Sequence, residues 1–241
     1  MSGFVLSRKD VILKQRMDYE GRSLCETTYP FEYLSSSVSF RLKAGKIVFN
    51  ELNPAGLAAV NREYALDFSS LTALAVDKTV VKTLLETVSQ ETGIYKEIHN
   101  LSFDSQGNVR KRNTVYSEIG GGADGFHAVT GKPLASEFFM TSGRMEIVTS
   151  LDFRKNPDSM ESWDYILDKN TDEWRYTSRK VSQVLSRDVS GRVLKTRDCQ
   201  YAVTYKGSGD PQNYLTSYTS VLNQVDVTDN LSFDSRGNVD Q

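Results

Sequence analysis

The sequence predicts a mainly β protein of the α+β class. The expected architecture is a curved antiparallel sheet or half-barrel of β-hairpins with one or two helices packed on one face. Three observations predict it. Segments rich in Val, Thr, Tyr and Ile, many alternating with period two, recur along the 241-residue chain. Tight-turn signals of the form Asp-x-x-Gly punctuate those segments. Two helical signals interrupt them, one long and one short.

In chain order, residues 1–50 read as strands, with Val11 and Leu13 alternating against Ile12, Lys14 and Arg16. Val38–Leu42 and Lys46–Phe49 flank Ala44-Gly45, a hairpin signature. Asn53-Pro54 reads as a helix cap followed by a first-turn proline, opening a short helix over 54–65 through Leu57, Val60 and Tyr64. Residues 76–92 carry Val76, Val80, Val81, Leu84, Leu85 and Val88 at three- and four-residue steps, which makes one apolar stripe, and Gly93 stands where a helix would end. Strands return at 94–118, 143–154, 161–206 and 215–235. Within them Trp163, Tyr165 and Leu167 alternate before Asp168–Asp172, and Trp174 and Tyr176 alternate after it, as in a hairpin with an aromatic face. The chain is expected to be a single domain, 1–241. The alternative is two domains, 1–118 and 126–241, joined by the glycine-rich stretch 119–125.

One decapeptide occurs twice, as NLSFDSQGNV from Asn100 and as NLSFDSRGNV from Asn230. Its core, Asp-x-x-Gly, also occurs at Asp18–Gly21 and Asp188–Gly191, and each of the four is followed by Asn or Arg. The aspartate opens a turn by accepting backbone N–H groups, and the glycine takes a left-handed conformation that a β-carbon makes costly. The repeat is thus a hairpin turn with its first strand attached. Asp188–Val193, with Asp198 further on, resembles the Tyr-Asp turn of YD (Rhs-type) repeats, which build hollow β-shells. The resemblance covers only these short segments. Phe or Arg stands before the last three of these aspartates where that family has tyrosine, and the spacing is longer and less regular. It implies shared turn chemistry rather than kinship. After Gly237 only four residues remain, so the second copy is expected either to continue in a longer chain or to be covered along its edge.

Composition narrows the function classes. Net charge is −2 and basic residues are scattered; Arg110, Lys111 and Arg112 alternate faces on a strand, so no nucleic-acid partner is expected. No segment has the length and apolarity of a transmembrane span, and the N-terminus lacks a signal-peptide core. The expected location is extracytoplasmic if a leader has been removed, and cytoplasmic otherwise. Cys25 and Cys199 read either as a disulfide or as two buried thiols.

No catalytic residues, metal ligands or cofactor are assigned. His99 and His127 lack further ligands at zinc spacing. Gly120–Gly125 fits a dinucleotide fingerprint in letters only, because Gly131 and Pro133 break the helix it requires, and that segment is the expected mobile loop. Asp158, Glu161, Asp164, Asp168, Asp172 and Glu173 crowd around two tryptophans without a calcium-loop pattern. Asn100 and Asn230 open N-x-S sequons.

Three functional readings follow. In the first, a non-enzymatic secreted or cell-envelope protein binds a ligand or partner on its sheet face. The ligand is a small apolar molecule under the 76–92 helix, met by Val80, Val81, Leu84, Leu85, Trp163, Tyr165, Trp174 and Tyr176. The second is a structural or interaction module of a larger β assembly, with a filled core and an exposed strand edge near 231–241. The third is a hydrolase with a carboxylate pair that the sequence does not single out.

Overall fold

The structure is a computed structural model that describes residues 8–34, 39–42, 45–66, 91–119, 127, 129–132, 138–168, 173–207, 219–230, 232–233 and 239–240. Its strands are β1 (Arg8–Met17), β2 (Ser23–Leu34), β3 (Ser39–Leu42), β4 (Gly45–Leu52), β5 (Ala58–Leu66), β6 (Glu91–Phe103) and β7 (Val109–Ile119). They continue as β8 (Phe138–Leu151), β9 (Pro157–Asp168), β10 (Glu173–Arg187), β11 (Val193–Gly207), β12 (Thr219–Asp229), β13 (Ser232–Phe233) and β14 (Val239–Asp240). One 12-stranded antiparallel sheet runs in the order β1-β2-β4-β5-β6-β7-β8-β9-β10-β11-β12, with β3 also on β2. It is not closed into a barrel: β1 and β12 are its edges. Near the end of the chain β13 and β14 pair as a separate two-stranded antiparallel sheet, with Phe233 opposite Val239.

The connections β1–β2, β4–β5, β6–β7, β8–β9 and β10–β11 share one five-residue turn. Its first residue is Asp18, Asn53, Asp104, Asp152 or Asp188, whose backbone N–H donates to the carbonyl of the fifth residue and whose carbonyl accepts from the N–H of the fourth. The first residue's Oδ1 accepts two more backbone N–H groups, from the third and fifth positions. The fourth residue sits at φ between 69° and 83°; it is Gly in four turns and Lys155 in the other. This is a type I turn closed by a left-handed bulge residue, which matches the twist of the flanking strands.

The fifth position explains why Asn or Arg follows the glycine. In all four Asp turns its side chain donates back to the free Oδ2: Arg22 at 2.6 Å, Asn108 at 2.9 Å, Asn156 at 3.0 Å and Arg192 at 2.6 Å. Asn53 has no second oxygen, and Leu57 stands in the fifth place of its turn.

Two expectations change, and a third lies mostly outside the described residues. The short helix over 54–65 is not formed: Asn53–Leu57 is a turn and Ala58–Leu66 is a strand. An Asx turn and a helix cap both begin with a side-chain oxygen accepting backbone N–H groups, and proline suits the second position of either, so the same letters fit both. The expected hairpin around Ala44-Gly45 is not formed, because the strands on either side of it both pair with β2. β3 and β4 pair successively along β2, Leu42 with Phe31 and Lys46 with Thr28, as one interrupted return strand. Residues 76–90 of the long expected helix lie outside the described residues, whereas Glu91 to Gly93 already belong to β6.

The chain divides into two compact units, Met1–Ile98 with Tyr116–Met140, and His99–Val115 with Thr141–Gln241. The division runs through β6 and β7. The core of the first unit holds Tyr29, Phe31, Ile47, Phe49, Tyr64 and Tyr95; that of the second holds Met145, Trp163, Tyr165, Trp174 and Tyr176. Both cysteines are thiols. Burial pushes the Cys25 thiol up to about 11, which suppresses its thiolate.

Candidate interaction surface

In the second unit, strand alternation sends one side chain in two to a common core face. Tyr165 on β9 is opposite Tyr176 on β10 and Gly143 on β8, so three strands meet at its ring. Trp174 and Tyr176 pack edge-on against that ring at 5.2 and 5.9 Å between centroids. Gly143 leaves the space: a β-carbon there would overlap the Tyr165 ring. The phenol donates to Asn113 Oδ1 at 2.8 Å, which satisfies its one buried donor. The four aromatic residues singled out from sequence, Trp163, Tyr165, Trp174 and Tyr176, therefore lie on one face, and all are buried. Val80, Val81, Leu84 and Leu85 lie outside the described residues.

Toward β12 the same face opens. The Arg179 guanidinium lies over Trp163 at 5.8 Å and over Tyr201 at 4.8 Å, and it pairs with Glu161 at 3.1 Å. Past it, Leu222 faces Tyr201, Val225 faces Cys199 and Val227 faces Arg197. Those three apolar side chains belong to the core face yet remain 52%, 47% and 50% exposed. β12 is paired with β11 along one side, and among the described residues it has no sheet neighbour on the other. Its end is fixed by Asn230, whose backbone N–H donates to the Leu194 carbonyl and whose Nδ2 donates to the Val193 carbonyl at 2.9 Å. The second sequon asparagine thus holds strand to strand.

The opposite face is charged and internally matched. Arg144 pairs with Asp164 at 2.6 Å, Lys180 with Asp198 at 2.7 Å, and Gln200 donates to Asp226 at 3.2 Å. Asp158 meets Arg187 at 2.8 Å. So Asp158, Glu161 and Asp164, half of the acidic cluster seen in sequence, each meet an arginine.

In the first unit the core face is covered by the chain itself. Segment 129–132 crosses it, held by three donors from two strands: Arg16 on β1 to the Val129 carbonyl, and Arg62 and Tyr64 on β5 to the Thr130 and Gly131 carbonyls at 3.2 and 2.8 Å. Gly131, at φ 65°, lies so close to Phe49 that a β-carbon would overlap the ring. His127 helps to shape the approach, since its Nδ1 accepts the N–H groups of Val129 and Thr130. Segment 129–132 is thus held in place, while Gly120–Gly125, the expected mobile loop, lies outside the described residues. Arg62 is 5% exposed; it pairs with Glu97 at 3.0 Å and Glu51 at 3.1 Å, and Tyr95 donates to the same Glu97 oxygen. Burial pushes the Tyr95 phenol upward, and the hydrogen bond to Glu97 adds to the rise.

Sequence reasoning missed both Arg62 and the β12 row. Arg62 carries no local sign, since a charged residue at a core-facing strand position is recognised only from its partners. The β12 row did carry a sign: Val225 and Val227 alternate in a strand already expected.

No protein-family model and no curated protein matches the chain. Among solved structures it is similar to a protein of unknown function from Bacteroides fragilis, at 9% identity and a TM-score of 0.33, over 76% of this chain and 91% of that one. Among the described residues no helix is long and apolar enough to cross a membrane.

Proposed function

We propose that this chain is a non-enzymatic interaction module, one section of a larger β assembly, and that its joint is the β12 edge with the adjoining core face. The observation that carries the reading is the exposed row Leu222, Val225 and Val227, which continues a buried aromatic face onto the edge strand β12. An edge strand offers a line of backbone donors and acceptors, and proteins ordinarily blunt such an edge with lysine, proline or a covering element. β12 contains neither lysine nor proline.

The occupant assigned to the edge is a second copy of the chain, with the two β12 strands antiparallel about a two-fold axis. Centred on Val225, that register sets Gln224 of one copy opposite Asp226 of the other and brings no two carboxylates face to face. Covering the exposed half of each apolar side chain contributes roughly 1 kcal/mol. Association costs about 4 kcal/mol or more, so the joint is weak and depends on concentration. Sedimentation velocity across a dilution series tests the reading. The expected result is a reversible monomer–dimer equilibrium that Val225→Lys and Val227→Lys abolish without unfolding the chain. A monomer at every concentration, or a dimer indifferent to both substitutions, overturns it.

A further inference from the structure

Where segment 129–132 crosses the first unit, it leaves a cleft of about 350 Å³ beside β1, β2, β4 and β5. Small-molecule sites begin at about this size. Leu24, Leu52 and Val129 give the cleft an apolar side, while Arg16, Arg62 and Lys132 bring three cations to it against the single carboxylate of Glu51. Arg62 is already balanced by Glu51 and Glu97. Arg16 is oriented by the neutral Val129 carbonyl, which fixes the guanidinium without cancelling its charge. Among the described residues, neither Arg16 nor Lys132 is paired with a carboxylate of the chain.

We propose that this cleft binds a small organic acid. Its carboxylate is held by Arg16 and Lys132, and its hydrocarbon lies against Leu24, Leu52 and Val129. Arg is suited to the task because its planar fork can meet both oxygens of a carboxylate, and one nitrogen is already anchored at a fixed place. The polar side chains around the cleft are otherwise engaged: Asn50 donates to the Ser23 carbonyl and accepts from Asn61, and Arg62 holds the crossing segment. The site is separate from the β12 edge, and its fate does not depend on the interaction reading.

The test is a titration of the full chain with butyrate, butan-1-ol and inorganic phosphate, followed by amide chemical shifts. Butyrate is expected to shift Thr130, Gly131 and Lys132 saturably, with butan-1-ol producing no saturable change and phosphate binding more weakly than butyrate. Lys132→Gln removes an exposed charge that has no side-chain hydrogen bond or ion pair among the described residues, and it is expected to weaken butyrate binding about tenfold. Arg16→Gln is expected to do at least as much, with amide shifts confined in each variant to the substituted residue, its strand neighbours and 129–132, so that the fold is retained. No saturable shift with butyrate, an equal response to butan-1-ol, or a Lys132→Gln chain that titrates like the original overturns the proposal. Tighter binding of phosphate than of butyrate overturns the assignment to an organic acid.

Discussion

The two units solve one problem in different ways. Each is a run of antiparallel strands with a core face that has to be kept from water. The first covers that face with its own chain, and a backbone segment brings carbonyls that need donors; Arg16, Arg62 and Tyr64 supply them. The second packs aromatic rings against one another at one end of the face and leaves the other end open at β12. Cover made of main chain therefore calls for buried polar side chains, whereas cover left to a partner leaves apolar ones exposed.

Substitutions that remove each kind of cover break the comparison at its strongest points. Tyr165→Ala deletes the ring on which Trp174 and Tyr176 pack and leaves Asn113 without its donor; it is expected to cost about 3–5 kcal/mol, read from urea unfolding. Arg62→Met strips the counter-charge from Glu97 and frees the crossing segment. Its expected cost is about 2–4 kcal/mol, reduced by the exposure of Glu51, with faster hydrogen exchange at 130–132. Arg62→Lys is expected to fall between, because lysine keeps the charge and loses the fork. If both Arg62 variants leave exchange at 130–132 unchanged, the carbonyl contacts do not hold the segment.

The turns supply a smaller and pH-dependent effect. In Asp104 the side-chain and backbone hydrogen bonds from Asn108 hold the carboxyl below its ordinary value of 3.8. In Asp18, Asp152 and Asp188 burial pushes upward, but hydrogen bonds from the third and fifth turn residues outweigh it, and the net direction is again down. A carboxyl whose folded value is depressed adds stability above its unfolded value and loses it as pH falls through the folded one. The turn contribution is thus intact at neutral pH and fades below 3.8. Asp104→Asn is expected to flatten part of this acid slope while placing two amide donors against each other at Asn108. Adding Asn108→Leu reproduces the Asn53–Leu57 pairing and is expected to recover the lost midpoint. A double variant no more stable than Asp104→Asn would mean that first and fifth residues are not coupled. The smallest effect on folding is expected from Val225→Lys, which changes stability by about 0.5 kcal/mol or less because the site is exposed.

Much of this was legible in the sequence. The strand-rich class, the turn role of Asp104, Asp188 and Asp18, and the aromatic face shared by Trp163, Tyr165, Trp174 and Tyr176 all follow from period and turn chemistry. Two turns hid because each departs from Asp-x-x-Gly by one residue: Asn53–Leu57 begins with Asn and imitates a helix start, and Asp152–Asn156 puts Lys155 where Gly is expected. With both restored, the aspartate spacing that looked irregular becomes one turn at every second connection of a meander. The crossing of β1 and β5 by 129–132 was not legible, since it joins residues far apart in the chain with no local pattern to announce them.

Amide hydrogen exchange along β12, followed as a function of protein concentration, tests the open-edge account most directly. Amides turned away from β11 are expected to exchange quickly in dilute solution and to become protected as concentration rises, while those turned toward β11 stay protected throughout. Slow exchange of every β12 amide at all dilutions would contradict it, because the edge would then be covered by the chain itself.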